Sequence, residues 1–202
     1  TCVAVASKDT AEMLDTPLGP QPRFSQNLPD LAWQACPGKG IHYPDLYKTH
    51  YGKYPDNWLL GHVKKVRIGH SSNPSIRRIG ASGGVISQTL IYLFENKFID
   101  AAIVVQQGIP TPEKARAKIA RTKEEILHAA QSVYIPVSLL DILNRLVPGE
   151  RYAMTCLPDQ AAALRMLQHA GHQAAQQIHY VLGPYTGTAL YPAALSCFLR
   201  SH

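Results

Sequence analysis

Five consecutive apolar residues, Ala101-Ala102-Ile103-Val104-Val105, form the run that most limits how this chain can fold. A membrane helix needs about 20 such residues, so the run is far too short to span a bilayer. It is also too unbroken for a half-exposed strand, and it reads as a strand buried on both faces. Such a strand needs helices packed above and below it. Ile86, Leu90, Leu93 and Phe94 fall at helical spacing just before it. After it, Thr122-Lys123-Glu124-Glu125 spells a capping box, and Ile126, Leu127 and Ala130 continue that helix. Leu139, Leu140, Ile142, Leu143 and Leu146 predict a further helix stopped by Pro148-Gly149. Residues 152–155 and 178–182 read as strands, and the helix between them has Pro158 in its first turn and Gly171 past its end. A last helix is expected over 190–199, and residues 66–68 alternate like a short strand. Strand and helix alternation of this kind predicts an α/β fold, with a mixed or mostly parallel sheet flanked by helices.

Residues 1–60 differ in character. Seven prolines, from Pro17 to Pro55, prevent long helices or central strands there, while Trp33, Tyr43, Tyr47, Tyr51 and Trp58 supply burial. This stretch is expected to be an extended N-terminal segment laid on a core domain formed by residues 61–202. With 46% hydrophobic and 17% charged residues, the chain excludes a disordered class. Its net charge of +6 favours anionic partners. The cations are scattered and few aromatics lie among them, which argues against a nucleic-acid platform. With no basic-then-apolar leader and no membrane span in view, a cytoplasmic protein is expected. Cys2, Cys36, Cys156 and Cys197 are too dispersed for a disulfide framework, and the nine histidines form no metal-binding pattern.

The most informative segment is Gly80-Ala81-Ser82-Gly83-Gly84, directly ahead of a helix and just after Arg77 and Arg78. Glycines permit positive φ and close backbone approach, so successive N–H groups can cradle a phosphate at the helix start. A plain tight turn capping the helix is the simpler alternative. The same residues spell the G-x-S-x-G of a nucleophile elbow, which needs a strand running into Ser82. Asp141 or Asp159 with His179 would then complete a triad. Cys156 precedes a helix start, where a thiol can become reactive or fill a gap in the core. Ser132 and Tyr134 would place two hydroxyls in the same cleft.

These segments together resemble the coenzyme F420 hydrogenase/dehydrogenase beta-subunit family. The resemblance rests on Cys36-Pro37-Gly38-Lys39-Gly40-Ile41, on the stretch from Arg78 through Ser87, and on Ile119-Ala120-Arg121-Thr122-Lys123-Glu124. It continues in Ala130-Gln131-Ser132-Val133-Tyr134, Leu157-Pro158-Asp159-Gln160 and Tyr180-Val181-Leu182-Gly183-Pro184-Tyr185. It implies an oxidoreductase with bound FAD and 4Fe-4S clusters, exchanging electrons with coenzyme F420 or another small redox substrate. A ferredoxin or a hydrogenase/dehydrogenase subunit would be the electron partner. It also implies FAD contacts at Gly80, Ala81, Ser82, Gly83, Gly84, Ser87, Ser132 and Tyr134, and cluster ligation by Cys2 and Cys36. The family's N-terminal CxxCxxC run is met here only at Cys2, and Asp159 stands where many members have cysteine. The chain is therefore expected to be a fragment, with its flavin cradle present and its electron path interrupted. A non-catalytic nucleotide- or phosphate-binding domain is the alternative.

Overall fold

A computed structural model describes residues 1–7 and 9–201, apart from the side chain of Leu199. The chain opens with helix α1 (Cys2–Val5) and a hairpin of β1 (Ala11–Thr16) and β2 (Gly19–Phe24), paired antiparallel. Helices α2 (Asp30–Gln34), α3 (Tyr43–Tyr51), α4 (Pro74–Ile79) and α5 (Val85–Glu95) follow. Strands β3 (Ala101–Gln107) and β4 (Ala115–Ala120) come next, then α6 (Lys123–His128) and a 3-10 segment at Leu140–Arg145. The remaining elements are β5 (Tyr152–Thr155), α7 (Pro158–His169), α8 (Gln173–Gln176), β6 (Ile178–Leu182) and α9 (Pro192–Ser201).

The main sheet has the order β4-β3-β5-β6. The β3–β4 pair is antiparallel, whereas β3–β5 and β5–β6 are parallel, so the sheet is mixed and mostly parallel as expected. Side chains alternate between two cores. Ala101, Ile103, Tyr152 and Met154 face α7 and the 3-10 segment, against Ile142, Leu143, Leu164 and Leu167. Ala102, Val104 and Ala153 face α5 and α6, against Leu90, Ile91 and Ile126. Ala4 and Ala35 of the N-terminal segment join the first of these cores.

Ion pairing fixes the start of the parallel pair. Arg151 donates from Nε and Nη2 to the two oxygens of Asp100, each at 3.1 Å, and the Asp100 N–H donates to the Arg151 carbonyl at 2.8 Å. The Arg151 guanidinium holds the Asp100 carboxyl below its usual range. Beside it, Arg121 makes a bidentate pair with Glu150 at 2.8 and 2.7 Å.

Several expectations need correction. Residues 66–68 form no strand, because no neighbouring strand lies beside them to complete their hydrogen bonds. The apolar cluster from Leu139 to Leu146 makes a 3-10 segment, not an α-helix, and α6 ends at His128 before Ala130. The stretch ahead of Gly80 is the short helix α4, capped by the Asn73 side chain, which accepts from the N–H groups of Ser75 and Ile76. The last helix covers 192–201, displaced by two residues from the expected 190–199. No described helix is long and apolar enough to cross a membrane.

Ile103 is fully buried at the centre of the sheet. Ile103→Ala is expected to lower unfolding free energy by about 2–5 kcal/mol, read as a reduced urea midpoint.

Candidate functional site

Two helices and the turn between them build the glycine segment. α4 ends at Ile79, Gly80 leaves it with extended backbone, and the turn closes at Gly84, the N-cap of α5. Gly83 and Gly84 are left-handed, at φ 70° and 73°. A Cβ on Gly80 would lie 2.5 Å from the Gly84 Cα, and one on Gly84 would lie 2.7 Å from the Ile76 carbonyl oxygen. The glycines are thus required by the packing of α4 against the start of α5. The Ser71 N–H donates to the Gly83 carbonyl at 2.7 Å, and the buried Ser71 hydroxyl donates to Gln88 Oε1 at 2.9 Å. These bonds tie the turn to both the preceding loop and α5.

The electrostatics suit an anion. No side chain caps α5, and its first turn carries no acidic residue. Ala81 and Ser82 are exposed and Ser87 is half-buried. Arg77 and Arg78 are exposed and belong to no ion pair among the described residues. With His70, Ser71, Ser72 and Pro74 they line a cavity of about 360 Å³. Donors, positive charge and an uncapped helix start fit the phosphates of a nucleotide cofactor.

A second cavity of about 560 Å³ lies at the carboxyl end of β3, where ligands bind in open α/β sheets. Its lining includes Ile79, Val105, Gln107, Gly108, Gln131 and Ser132. Ile79 on this wall and Pro74, Arg77 and Arg78 on the wall of the first cavity all belong to α4, so this helix separates the two cavities. A Cβ on Gly108 would meet nothing within 4 Å, which shows open space beside it. Gln131 sits at φ 108°, an unusual backbone state for a non-glycine residue. Between the lining residues Val105 and Gln107, Gln106 buries Oε1 without a hydrogen-bond partner among the described residues. Ser132 lines this cavity, whereas Tyr134 is exposed and does not line it. The sequence reading missed Gln106, Gln107, Gln131 and His70. Only the polar ending of the apolar run at Gln106-Gln107 marked a strand terminus in the sequence.

Other candidates separate. Ser82 follows a helix, not a strand, and no hydrogen bond joins it to Asp141, Asp159 or His179 among the described residues. The nucleophile-elbow reading therefore lacks both its backbone and its base. Cys156 is buried, and desolvation pushes its thiol up to about 11, so the reactive-thiol alternative gives way to core packing. Cys2 and Cys36 are half-buried free thiols near α1 and α2, which pack together. Among the described residues no group of three or more His, Cys, Asp or Glu is arranged to hold a metal. Two thiols do not complete a four-thiolate set, so the residues present do not by themselves fit a 4Fe-4S cluster.

An α/β domain with an anion-suited glycine turn beside a cavity at a strand's carboxyl end is the class of protein this geometry defines. Residues 66–144 match the model of the coenzyme F420 hydrogenase/dehydrogenase beta subunit N-terminal region. The chain is 36% identical over 97 residues to a coenzyme F420-dependent sulfite reductase of Methanocaldococcus jannaschii, a match covering 47% of this chain and 15% of that protein. In fold it is similar to a chain in a xenon-derivatised structure of the F420-reducing NiFe hydrogenase complex of Methanosarcina barkeri. That superposition has a TM-score of 0.60 at 21% identity, and covers 66% of this chain and 47% of the other. Over residues 66–144 the chain is thus similar to the N-terminal region of coenzyme F420 hydrogenase/dehydrogenase beta subunits, and it spans less than half the length of the relatives it matches.

Gly84→Ala is expected to cost about 1–2 kcal/mol from the left-handed backbone alone, with more from the Ile76 contact, seen as a lower thermal midpoint. Iodoacetamide at pH 8 should alkylate exposed Cys197 in the native protein and leave Cys156 unmodified until denaturant is added; mass spectrometry of the peptides reads both. Because the folded Cys156 pKa is raised, its neutral thiol favours folding fully below the unfolded thiol pKa. That contribution is lost as pH rises through about 11.

Proposed function

We propose that this chain is the flavin-binding part of an F420-type oxidoreductase. Its acceptor or donor is coenzyme F420 or another small redox substrate, and its electron partner is a ferredoxin or a hydrogenase/dehydrogenase subunit. The supporting observation is the uncapped start of α5, preceded by the 80–84 turn and by Arg77 and Arg78, which line a cavity and enter no ion pair among the described residues. A flavin exchanges single electrons as well as hydride, the chemistry needed to link clusters to F420. Backbone N–H groups of Ala81 and Ser82, with Gly83 and Gly84, would hold the FAD phosphates, and Arg77 and Arg78 would neutralise them. Ser87, Ser132 and Tyr134 remain candidate contacts for other parts of the cofactor. The cavity at the end of β3, lined by Val105, Gln107 and Ser132, would exclude water from the ring.

Residues 1–60 are read as the remnant of a cluster-binding region, and 61–202 as the flavin domain of a cytoplasmic enzyme. The cluster part of the proposal rests on the family, since Cys2 and Cys36 supply at most two of the four thiolates. The incomplete thiol set among the described residues favours one second reading, a nucleotide-binding domain without its own clusters.

The test is a visible absorption spectrum after anaerobic incubation with FAD and desalting, followed by FAD titration of an Arg77→Glu/Arg78→Glu variant. Retained flavin absorbance is expected, with affinity in the folded double variant reduced roughly tenfold or more. A colourless protein, or unchanged affinity in the variant, would sink the proposed phosphate site. Flavin retention without F420 reduction when the chain is supplied with a chemical reductant would favour the second reading.

A further inference from the structure

Between His62 and the glycine turn, the chain presents a segment whose backbone pairs with no described residue. It is held at both ends. The His62 ring lies 4.5 Å from the Tyr51 ring, and the His70 side chain bonds the Ser71 carbonyl at 2.9 Å beside Gly83. Between these anchors no backbone N–H or carbonyl of residues 63–69 makes a hydrogen bond within the described structure. Residues 65–70 run without a turn or bend.

The side chains match this unpaired backbone. Val66 is 83% exposed and Ile68 is fully exposed, whereas most other valines and isoleucines of the chain are buried or half-buried. Two residues apart, they fall on one side of an extended chain, while Lys65 and Arg67 fall on the other. Lys64, Lys65 and Arg67 enter no ion pair among the described residues. Leu59, Leu60 and Val63 extend the exposed apolar strip toward α3. An apolar strip of this size, rimmed by charge, marks an interaction surface.

We infer that residues 63–69 are a docking strand for an acidic polypeptide of another chain, which pairs with them edge to edge and seats Val66 and Ile68 in an apolar face. Free backbone donors and acceptors supply affinity, and alternating side chains supply specificity. The clustered cations select acidic side chains on the partner. A second copy of this chain is a poor occupant, because it brings a net charge of +6 against the same patch. This assignment is independent of flavin binding and stands or falls separately from it.

The experiment uses a fluorescein-labelled peptide of alternating Glu and Val, seven residues long, titrated with the full chain. Fluorescence anisotropy should rise, and hydrogen exchange should slow at 65–69. Added salt should weaken binding. Ile68→Asp, at a fully exposed position that should not disturb folding, is expected to reduce affinity about tenfold or more, and Lys65→Glu/Arg67→Glu by a similar factor. No binding up to about 1 mM peptide overturns the inference. So does equal binding of a peptide N-methylated at alternate residues, which shows that backbone pairing is not involved. Equal binding of a Lys-for-Glu peptide removes the acidic partner. Protein-concentration-dependent protection of 65–69 without peptide makes the occupant a second copy, and likewise overturns it.

Discussion

Burial of β3 on both faces is the constraint on which the rest of the molecule depends. Its even-numbered side chains, Ala102 and Val104, can be buried only by α5 and α6, and its odd-numbered ones, Ala101 and Ile103, only by α7 and the 3-10 segment. Because each face needs its own helices, the chain must cross from one side of the sheet to the other. The crossing through α6 brings β5 in parallel beside β3, and α7 then returns the chain to β6. The Asp100–Arg151 pair sets the register where β3 and β5 begin. The carboxyl ends are left with loops and with the larger cavity.

That arrangement also separates stability from ligand chemistry. Apolar contacts dominate the middle of the sheet, whereas Gln107, the left-handed Gln131 backbone and Ser132 line the cavity at one end. On the other side of α4, Arg77 and Arg78, without an ion pair among the described residues, line the smaller cavity ahead of the uncapped start of α5. A short helix with one buried side chain, Ile76, therefore stands between the two cavities and supports the glycine turn at its end.

Much of this was legible in the sequence, for identifiable reasons. Residues 101–105, 152–155 and 178–182 announced their strands because they are short apolar runs bounded by turn residues. Thr122 and Pro158 marked helix starts through their own chemistry, and Thr122 does accept from the Glu125 N–H. Strand β4 escaped because Arg116 and Lys118 read as scattered surface charge, although Ala115, Ala117 and Ile119 alternate with them. Helix α4 escaped because it spans only six residues with a single buried side chain, and Pro74 occupies its first turn after the Asn73 cap. Residues 66–68 have the alternation of a strand without a strand to pair with, and no local pattern reveals that. The glycine turn and Ser132 were visible as candidates, but the cavity between Ile79 and residues 127–133 exists only through tertiary packing.

The close approach of Gly80, Gly84 and Ile76 has a consequence for how this site can diversify. Two backbone positions of the turn, Gly80 and Gly84, are closed to side chains by the protein's own atoms, not by a ligand. A descendant of this chain could not retune the pocket by decorating those positions without unseating α4. Change in ligand preference is confined to the residues that the packing leaves open, chiefly Arg77, Arg78, Ala81 and Ser82. The turn is a fixed frame, and its inheritance and its mechanical necessity are the same fact.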